Sequence, residues 1–312
     1  MAVWSGLGLL LLTVGVLAQG KLGDSPAAFS SLAGREPITP LPPSPDLDPR
    51  KLALGERLFN DTQLSRDGTR ACSSCHDTRT NGAGRTRRDT APDGSELAFN
   101  TSTVFNAALS FRLGWQGSFR TLEEQAAASF DNSQIMGISL DEAIARLAGD
   151  DDIARQFQEA YGSGPDRASV LDAIATFERS LVTPGSRFDR WLDGDAAALS
   201  AEEQNGYRLF KSLGCISCHQ GVNVGGNLFQ RHGIFHPLAS PDPAILRVPS
   251  LRNIATTPPY FHDGSAATLD EAVRNMARAQ LDRTLSDEQA AEILAFLGSL
   301  TGTYQGRPVT AP

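Results

Sequence analysis

The sequence predicts a mostly α-helical chain built from two tandem copies of one unit. Three observations carry this. Strand signals are scarce, helical apolar stripes recur along the chain, and a capped helix followed by Cys-x-x-Cys-His occurs twice. With 312 residues, 40% hydrophobic and 21% charged, the chain has room for two cores.

Met1 to Ala18 hold no Lys, Arg, Asp or Glu and contain the apolar run Leu7 to Leu12. Residues 1–18 therefore read as a secretory signal cleaved after Ala18, which exports the mature protein. The missing basic start leaves an uncleaved N-terminal anchor as the alternative, although the run is short for a span of about 20 residues. Residues 19–47, rich in Pro, Ser and Gly and ending in Pro40-Leu41-Pro42-Pro43-Ser44-Pro45, read as an extended linker.

The first unit occupies residues 48–195. Asp48-Pro49 is an N-cap followed by Pro at the first helical position, and Leu52, Leu54, Leu58 and Phe59 form the helix's apolar stripe. A loop leads to Cys72-Ser73-Ser74-Cys75-His76. The second unit, residues 196–312, opens with the capping box Ser200-Ala201-Glu202-Glu203, and Gly206-Tyr207-Arg208-Leu209-Phe210 echoes Gly55-Glu56-Arg57-Leu58-Phe59. It leads to Cys215-Ile216-Ser217-Cys218-His219. Further helical patterns cover Thr121 to Ala128, Leu140 to Leu147, Ser169 to Leu181, Leu269 to Ala279 and Ser286 to Leu300. Irregular stretches from Asp77 to Asn100 and from Gln220 to Leu251 are of a kind that wraps a cofactor.

The net charge of -8 argues against a nucleic-acid partner, which calls for a basic face. Four cysteines in an exported chain suggest two disulfides by default, but their spacing overturns that reading. Cys-x-x-Cys-His is the attachment signature of a c-type haem: two thiols add to the vinyl groups and the adjacent histidine reaches the iron. Two such motifs consume every cysteine, so Cys72, Cys75, Cys215 and Cys218 are the attachment residues and His76 and His219 the proximal ligands. A redox dithiol or four-cysteine zinc site would make both histidines accidents. The fold class is thus two tandem cytochrome c-like domains, each around one covalent haem.

The sixth ligand decides whether a haem transfers electrons or binds small molecules. Of the three methionines, Met1, Met136 and Met276, the last follows the second attachment site at the distance a distal loop needs. Core packing on an amphipathic helix is its alternative role.

The ordered blocks Trp115-Gln116-Gly117, Leu122-Glu123-Glu124-Gln125-Ala126, Phe177-Glu178-Arg179-Ser180-Leu181, Gly225 to Arg231, Leu251-Arg252-Asn253-Ile254, Pro259 to Gly264 and Met276, together with both haem motifs, resemble the bacterial dihaem cytochrome c peroxidases. The resemblance runs from about Asp48 to Leu300. It implies a high-potential second haem with Met276 as sixth ligand, a peroxidatic first haem, and Trp115 as the aromatic relay between them. It also implies a distal pocket in the Gln125 block and a calcium ion held by the Asn100 side chain and the carbonyls of Thr257 and Pro259, oxygen donors suited to a hard cation. By itself Asn100 reads more readily as a turn residue than as a calcium ligand, and Trp115 equally as a core aromatic.

The chain departs from the family pattern at the first haem. The family's distal histidine falls at Pro92, its distal glutamate at Ile135 and its distal proline at Ser129. A placed carboxylate contributes about 10²- to 10⁴-fold to proton transfer, and Ile135 cannot supply it. Asp131, the only nearby acid, or Gln134 could reach the pocket from the same loop, with simple solvation of both as the alternative. His232 and His236 lie in a loop with Gly233 and Pro237, which reads as solvated and not as a metal pair.

The resemblance implies an enzyme that reduces hydrogen peroxide with electrons from a small periplasmic cytochrome c or cupredoxin, possible as a homodimer. A dihaem electron carrier or redox sensor is the alternative favoured by Pro92 and Ile135. A relative of the methylamine-utilisation branch, oxidising a partner protein, is disfavoured by Met276.

Overall fold

The computed structural model describes Met1 and residues 36–312; residues 2–18 of the expected leader and the first part of the linker lie outside the described residues. Ten α-helices among those residues carry the fold, with only two short two-stranded ribbons beside them. They are α1 (Pro49–Phe59), α2 (Cys72–Cys75), α3 (Leu122–Asp131), α4 (Leu140–Ala148), α5 (Asp151–Tyr161), α6 (Arg167–Ser180), α7 (Arg187–Leu192), α8 (Ala201–Ser212), α9 (Leu269–Leu281) and α10 (Asp287–Gly298). The ribbons pair β1 (Phe229–Arg231) with β2 (Ile245–Arg247) and β3 (Thr303–Tyr304) with β4 (Arg307–Pro308), both antiparallel. No helix among the described residues is long and apolar enough to cross a membrane.

Each unit is held by one helix crossing, and the two crossings match. In the first, α1 packs on α6 so closely that a Cβ on Gly55 would fall on the Ala173 carbonyl oxygen. In the second, α8 packs on α10 and Gly206 meets the Glu292 carbonyl in the same way. The aromatic pairs beside these glycines coincide: Phe59 with Phe177 and Phe210 with Phe296, each with ring centroids 5.1 Å apart and planes at 56°. Glycine is required because no side chain fits where two backbones meet. Caps set the helix starts: Asp48, Thr121, Ser200, Thr268 and Ser286 each accept from a backbone N–H of the first turn.

The units also differ. Between α3 and α6 the first carries α4 and α5, whose Leu140, Leu147, Ile153 and Phe157 enter its main core; the second has no counterpart among the described residues. α5 is absent from the sequence reading, as is α7, and Phe188 and Leu192 of α7 pack into the second core with Tyr207 and Phe296. That core therefore reaches back before residue 195.

The described end of the Pro-rich segment has no regular secondary structure and is packed against the second unit. Ile38 is fully buried in the second core, Gly221 donates to the Pro37 carbonyl at 2.8 Å, and Glu36 accepts from Tyr207 Oη at 2.6 Å and Lys211 Nζ at 3.0 Å. Below it, Arg252, with no side-chain exposure, donates to Asp189 at 2.7 Å and to the Thr39 carbonyl at 2.8 Å. At the other end of the chain, Val309 is buried beside Phe59 and Phe105 of the first unit.

Candidate haem sites

Each Cys-x-x-Cys-His forms a tight turn in which the histidine N–H donates to the first cysteine's carbonyl, at 3.0 Å in both copies. His76 Nδ1 lies 3.0 Å from the Gly82 carbonyl and His219 Nδ1 lies 3.3 Å from that of Val224. A carbonyl only accepts, so Nδ1 carries the hydrogen and Nε2 is left with its lone pair, the arrangement an iron ligand needs. Burial keeps both rings neutral: it lowers His76 and pushes His219 down to about 4. None of the four cysteines is paired. Burial raises Cys72 to about 12 and Cys75 and Cys215 to about 11, so as free thiols they stay protonated at neutral pH. No cluster of three or more metal-binding side chains exists among the described residues. The residues fit covalent haem.

A cavity of about 380 Å³ opens at the second motif, lined by Cys215, Cys218, His219, Met276, Leu297 and, from the domain junction, Trp115. Its lining thus brings the second proximal histidine together with the methionine and the tryptophan that the sequence reading singled out. Asn100, Thr257 and Pro259 line the same cavity. Trp115 is half-buried; its Nε1 donates to the Asn100 carbonyl at 2.8 Å, and its own carbonyl accepts from Arg247 N at 2.8 Å. The indole is thus fixed by one bond within its own unit and one across the junction.

The internal duplication locates the first haem's surroundings. Asn106 and Asn253 both adopt left-handed backbone, φ 61 and 60. Bridges Leu113 to Phe119 and Tyr260 to Ala266 follow, and then the caps Thr121 and Thr268 start α3 and α9. Two turns into these helices, Ser129 stands where Met276 stands. One turn in, Gln125 matches Ala272, and on the crossing helices Glu178 of α6 matches Leu297 of α10. The first site has gained polar groups at three places where the second is apolar or a thioether.

Gln125 Nε2 donates to Ser129 Oγ at 2.9 Å, and that hydroxyl donates to the Gln125 carbonyl at 3.1 Å. Asp131 is exposed at the end of α3, and Ile135 and Pro92 are also exposed. The loop that bears Ile135 therefore turns no acid inward. Glu178, which the sequence reading quotes without a role, is 6% exposed, and its Oε2 lacks a partner. Burial, reinforced by Glu123, raises its carboxyl to about 8. An acid on the apolar face of α6, opposite Leu297 in the duplicate, is the signal that finds it.

One expectation is corrected. His232 is not solvated: its ring lies 5.0 Å from that of His262, and its Nδ1 is buried. The β1–β2 pairing draws the loop's start inward. His236 is half-exposed and bound to Asp282 at 2.8 Å, so the two histidines form no metal pair.

The duplicated helix crossing and paired attachment motifs define a chain with two cytochrome c-type haem domains. Comparison with known proteins is more specific. The family of di-haem cytochrome c peroxidases matches residues 49–197, and the cytochrome c family matches 203–301. The chain is 37% identical to cytochrome c551 peroxidase of Nitrosomonas europaea over 308 residues, 93% of this chain and 91% of that protein. It is 31% identical to methylamine utilization protein MauG of Methylophilus methylotrophus over 291 residues, 84% of this chain and 86% of that protein. Among solved structures, a MauG-like protein associated with microbial copper homeostasis superposes with a TM-score of 0.73 at 28% identity, covering 85% of this chain and 93% of that one. The chain belongs to the di-haem cytochrome c peroxidase family.

Proposed function

We propose that the protein is a periplasmic peroxidase that takes electrons from a small cytochrome c or cupredoxin at its second haem and reduces hydrogen peroxide at its first. The observation that carries this is the exchange of Met276 for Ser129 at equivalent places in the duplicate. A thioether would supply a distal ligand at one haem, while a serine hydroxyl, turned back on its own helix, would supply none at the other. When bound, haem supplies an iron that exchanges electrons and, where a position is open, binds peroxide. His76 and His219 hold the two irons through Nε2. Trp115, fixed at the junction, carries electrons between the sites. Gln125 and Ser129 offer hydrogen bonds on the open face, and Glu178 holds a proton near it. Asn100 gives both amide hydrogens to the Thr86 and Arg87 carbonyls, at 3.2 Å each, leaving Oδ1 for a calcium ion together with the Thr257 and Pro259 carbonyls.

A dihaem electron carrier is the second reading, favoured by the outward placement of Asp131 and Ile135. Steady-state consumption of peroxide with a reduced small cytochrome separates the two: turnover supports the peroxidase, and haem reduction without peroxide loss supports the carrier. Ile135→Glu should raise turnover by about 10²-fold or more if the distal carboxylate is what the site lacks. An unchanged rate would mean that another group, Glu178 first, already moves the proton.

A further inference from the structure

Three basic side chains with a buried nitrogen that has no hydrogen-bond partner belong to the same region of the domain junction: Arg88 Nε, His232 Nδ1 and His262 Nε2. The His232 and His262 rings lie 5.0 Å apart, and both line the cavity of the second haem. Arg88 comes from the first unit, on a loop held against the same turn: Arg87 Nε donates to the Asp263 carbonyl at 3.1 Å, and Gly264 has no side chain because the Arg87 backbone lies against it. Burial lowers the basicity of His262, and the nearby His232 and Arg88 lower it further, against the pull of Asp263 and of a hydrogen bond to the Asp242 backbone.

The neighbouring acids do not meet this demand. Asp263 gives its two oxygens to the backbone amides of Ser265, at 3.1 Å, and Ser240, at 2.9 Å. Asp89 turns one oxygen to Thr86 Oγ1 at 3.0 Å, and the other, buried and itself without a partner, lies against Gly84 and does not reach Arg88 Nε. Arg88 Nε is a permanent donor with nothing to meet, and the two imidazole nitrogens beside it become donors when their rings are protonated, which an anion seated among the three would favour. His232 Nε2 sits 2.8 Å from the Pro243 carbonyl and therefore carries a hydrogen; its Nδ1 donates to a carboxylate oxygen once the ring has taken up a second proton from solvent. A carboxylate suits all three nitrogens, and a haem held in this cavity carries two, on its propionates.

We propose that Arg88, His232 and His262 form a clamp for a propionate of the second haem, tying that haem to the first unit beside Trp115, whose ring meets His262 edge-on at 6.3 Å. The proposal rests on the second haem occupying this cavity. The test uses the haem-loaded protein and the variants Arg88→Gln, Arg88→Lys and His232→Phe, at positions open enough to tolerate change. The readouts are haem content, the midpoint potential of the second haem and the propionate bending mode in resonance Raman spectra. Arg88→Gln and His232→Phe should each lower the potential and shift the mode, because the propionate charge is then less neutralised, while Arg88→Lys should restore most of the potential. Unchanged potential and mode in both variants, with two haems bound, would overturn the clamp. A shift that appears only with added chloride or acetate would assign the site to a diffusible anion and overturn it too. Fewer than two haems per wild-type chain would instead overturn the two-haem reading on which it rests.

Discussion

Replacing Glu178 by leucine, the residue its duplicate uses, should change stability in a way that depends on pH. In the folded chain burial raises this carboxyl from its ordinary 4.5 to about 8, whereas the unfolded chain ionises it near 4.5. Below pH 4.5 both states hold the proton and the group costs nothing electrostatic. Between 4.5 and 8 the folded state holds a proton that the unfolded state has released, so folding weakens as pH rises. The loss is about 1.4 kcal/mol for each pH unit, hence roughly 3 kcal/mol at pH 7 and roughly 4–5 kcal/mol above pH 8, where it levels off. Urea unfolding of the haem-loaded protein, followed at the Soret band between pH 5 and 9, measures it. The advantage of Glu178→Leu over the wild type should grow steadily up to pH 8. A difference that stays flat over this range would show that Glu178 ionises normally, and that it is neither dry nor turned to the first haem.

Two other changes probe the second unit. Met276→Ala should remove the thioether-to-iron absorption near the red edge of the ferric spectrum and lower the second haem's potential; an unchanged spectrum would make Met276 a packing residue. Arg252→Met leaves Asp189 buried without its cation and should cost about 3–5 kcal/mol in urea unfolding, most of it regained when Asp189→Leu is added; a cost under about 1 kcal/mol would mean that the Asp189 bonds to Ser186 and Leu41 suffice.

Much of this was legible because it is local. A Cys-x-x-Cys-His and a Ser-x-x-Glu cap act within a few residues, and the stripes of α1, α3 and α9 repeat at helical spacing. α7 has six residues, too few to show a period. α5 carries only Ile153 and Phe157 as buried residues among charged ones, although Asp150 and Gly162 mark its ends. The packing of His232 on His262 joins segments thirty residues apart, and its Gly and Pro neighbours suggest a wet loop. Ile38 sits in a proline-rich stretch whose composition carries no sign of the core that receives it. Glu178 needed the two copies laid side by side, since a lone acid in an apolar helix face looks like an exposed turn of that helix.

The ends of the chain are crossed. Ile38, ahead of the first unit, is buried in the second, and Val309, beyond the second, is buried in the first. The molecule is a buckled belt: its two units are joined by the segment between them and fastened again, in the opposite sense, by both tails. Pulling the units apart requires releasing the segment around Ile38, the segment around Val309, or both. A single proteolytic nick between the units would leave two fragments, each holding a piece of its neighbour, and they should travel together until denatured. The two units are accordingly held by the segment between them, by both buried segments and by bonds across the junction such as that from Arg247 N to the Trp115 carbonyl, so their mutual placement does not rest on one linker.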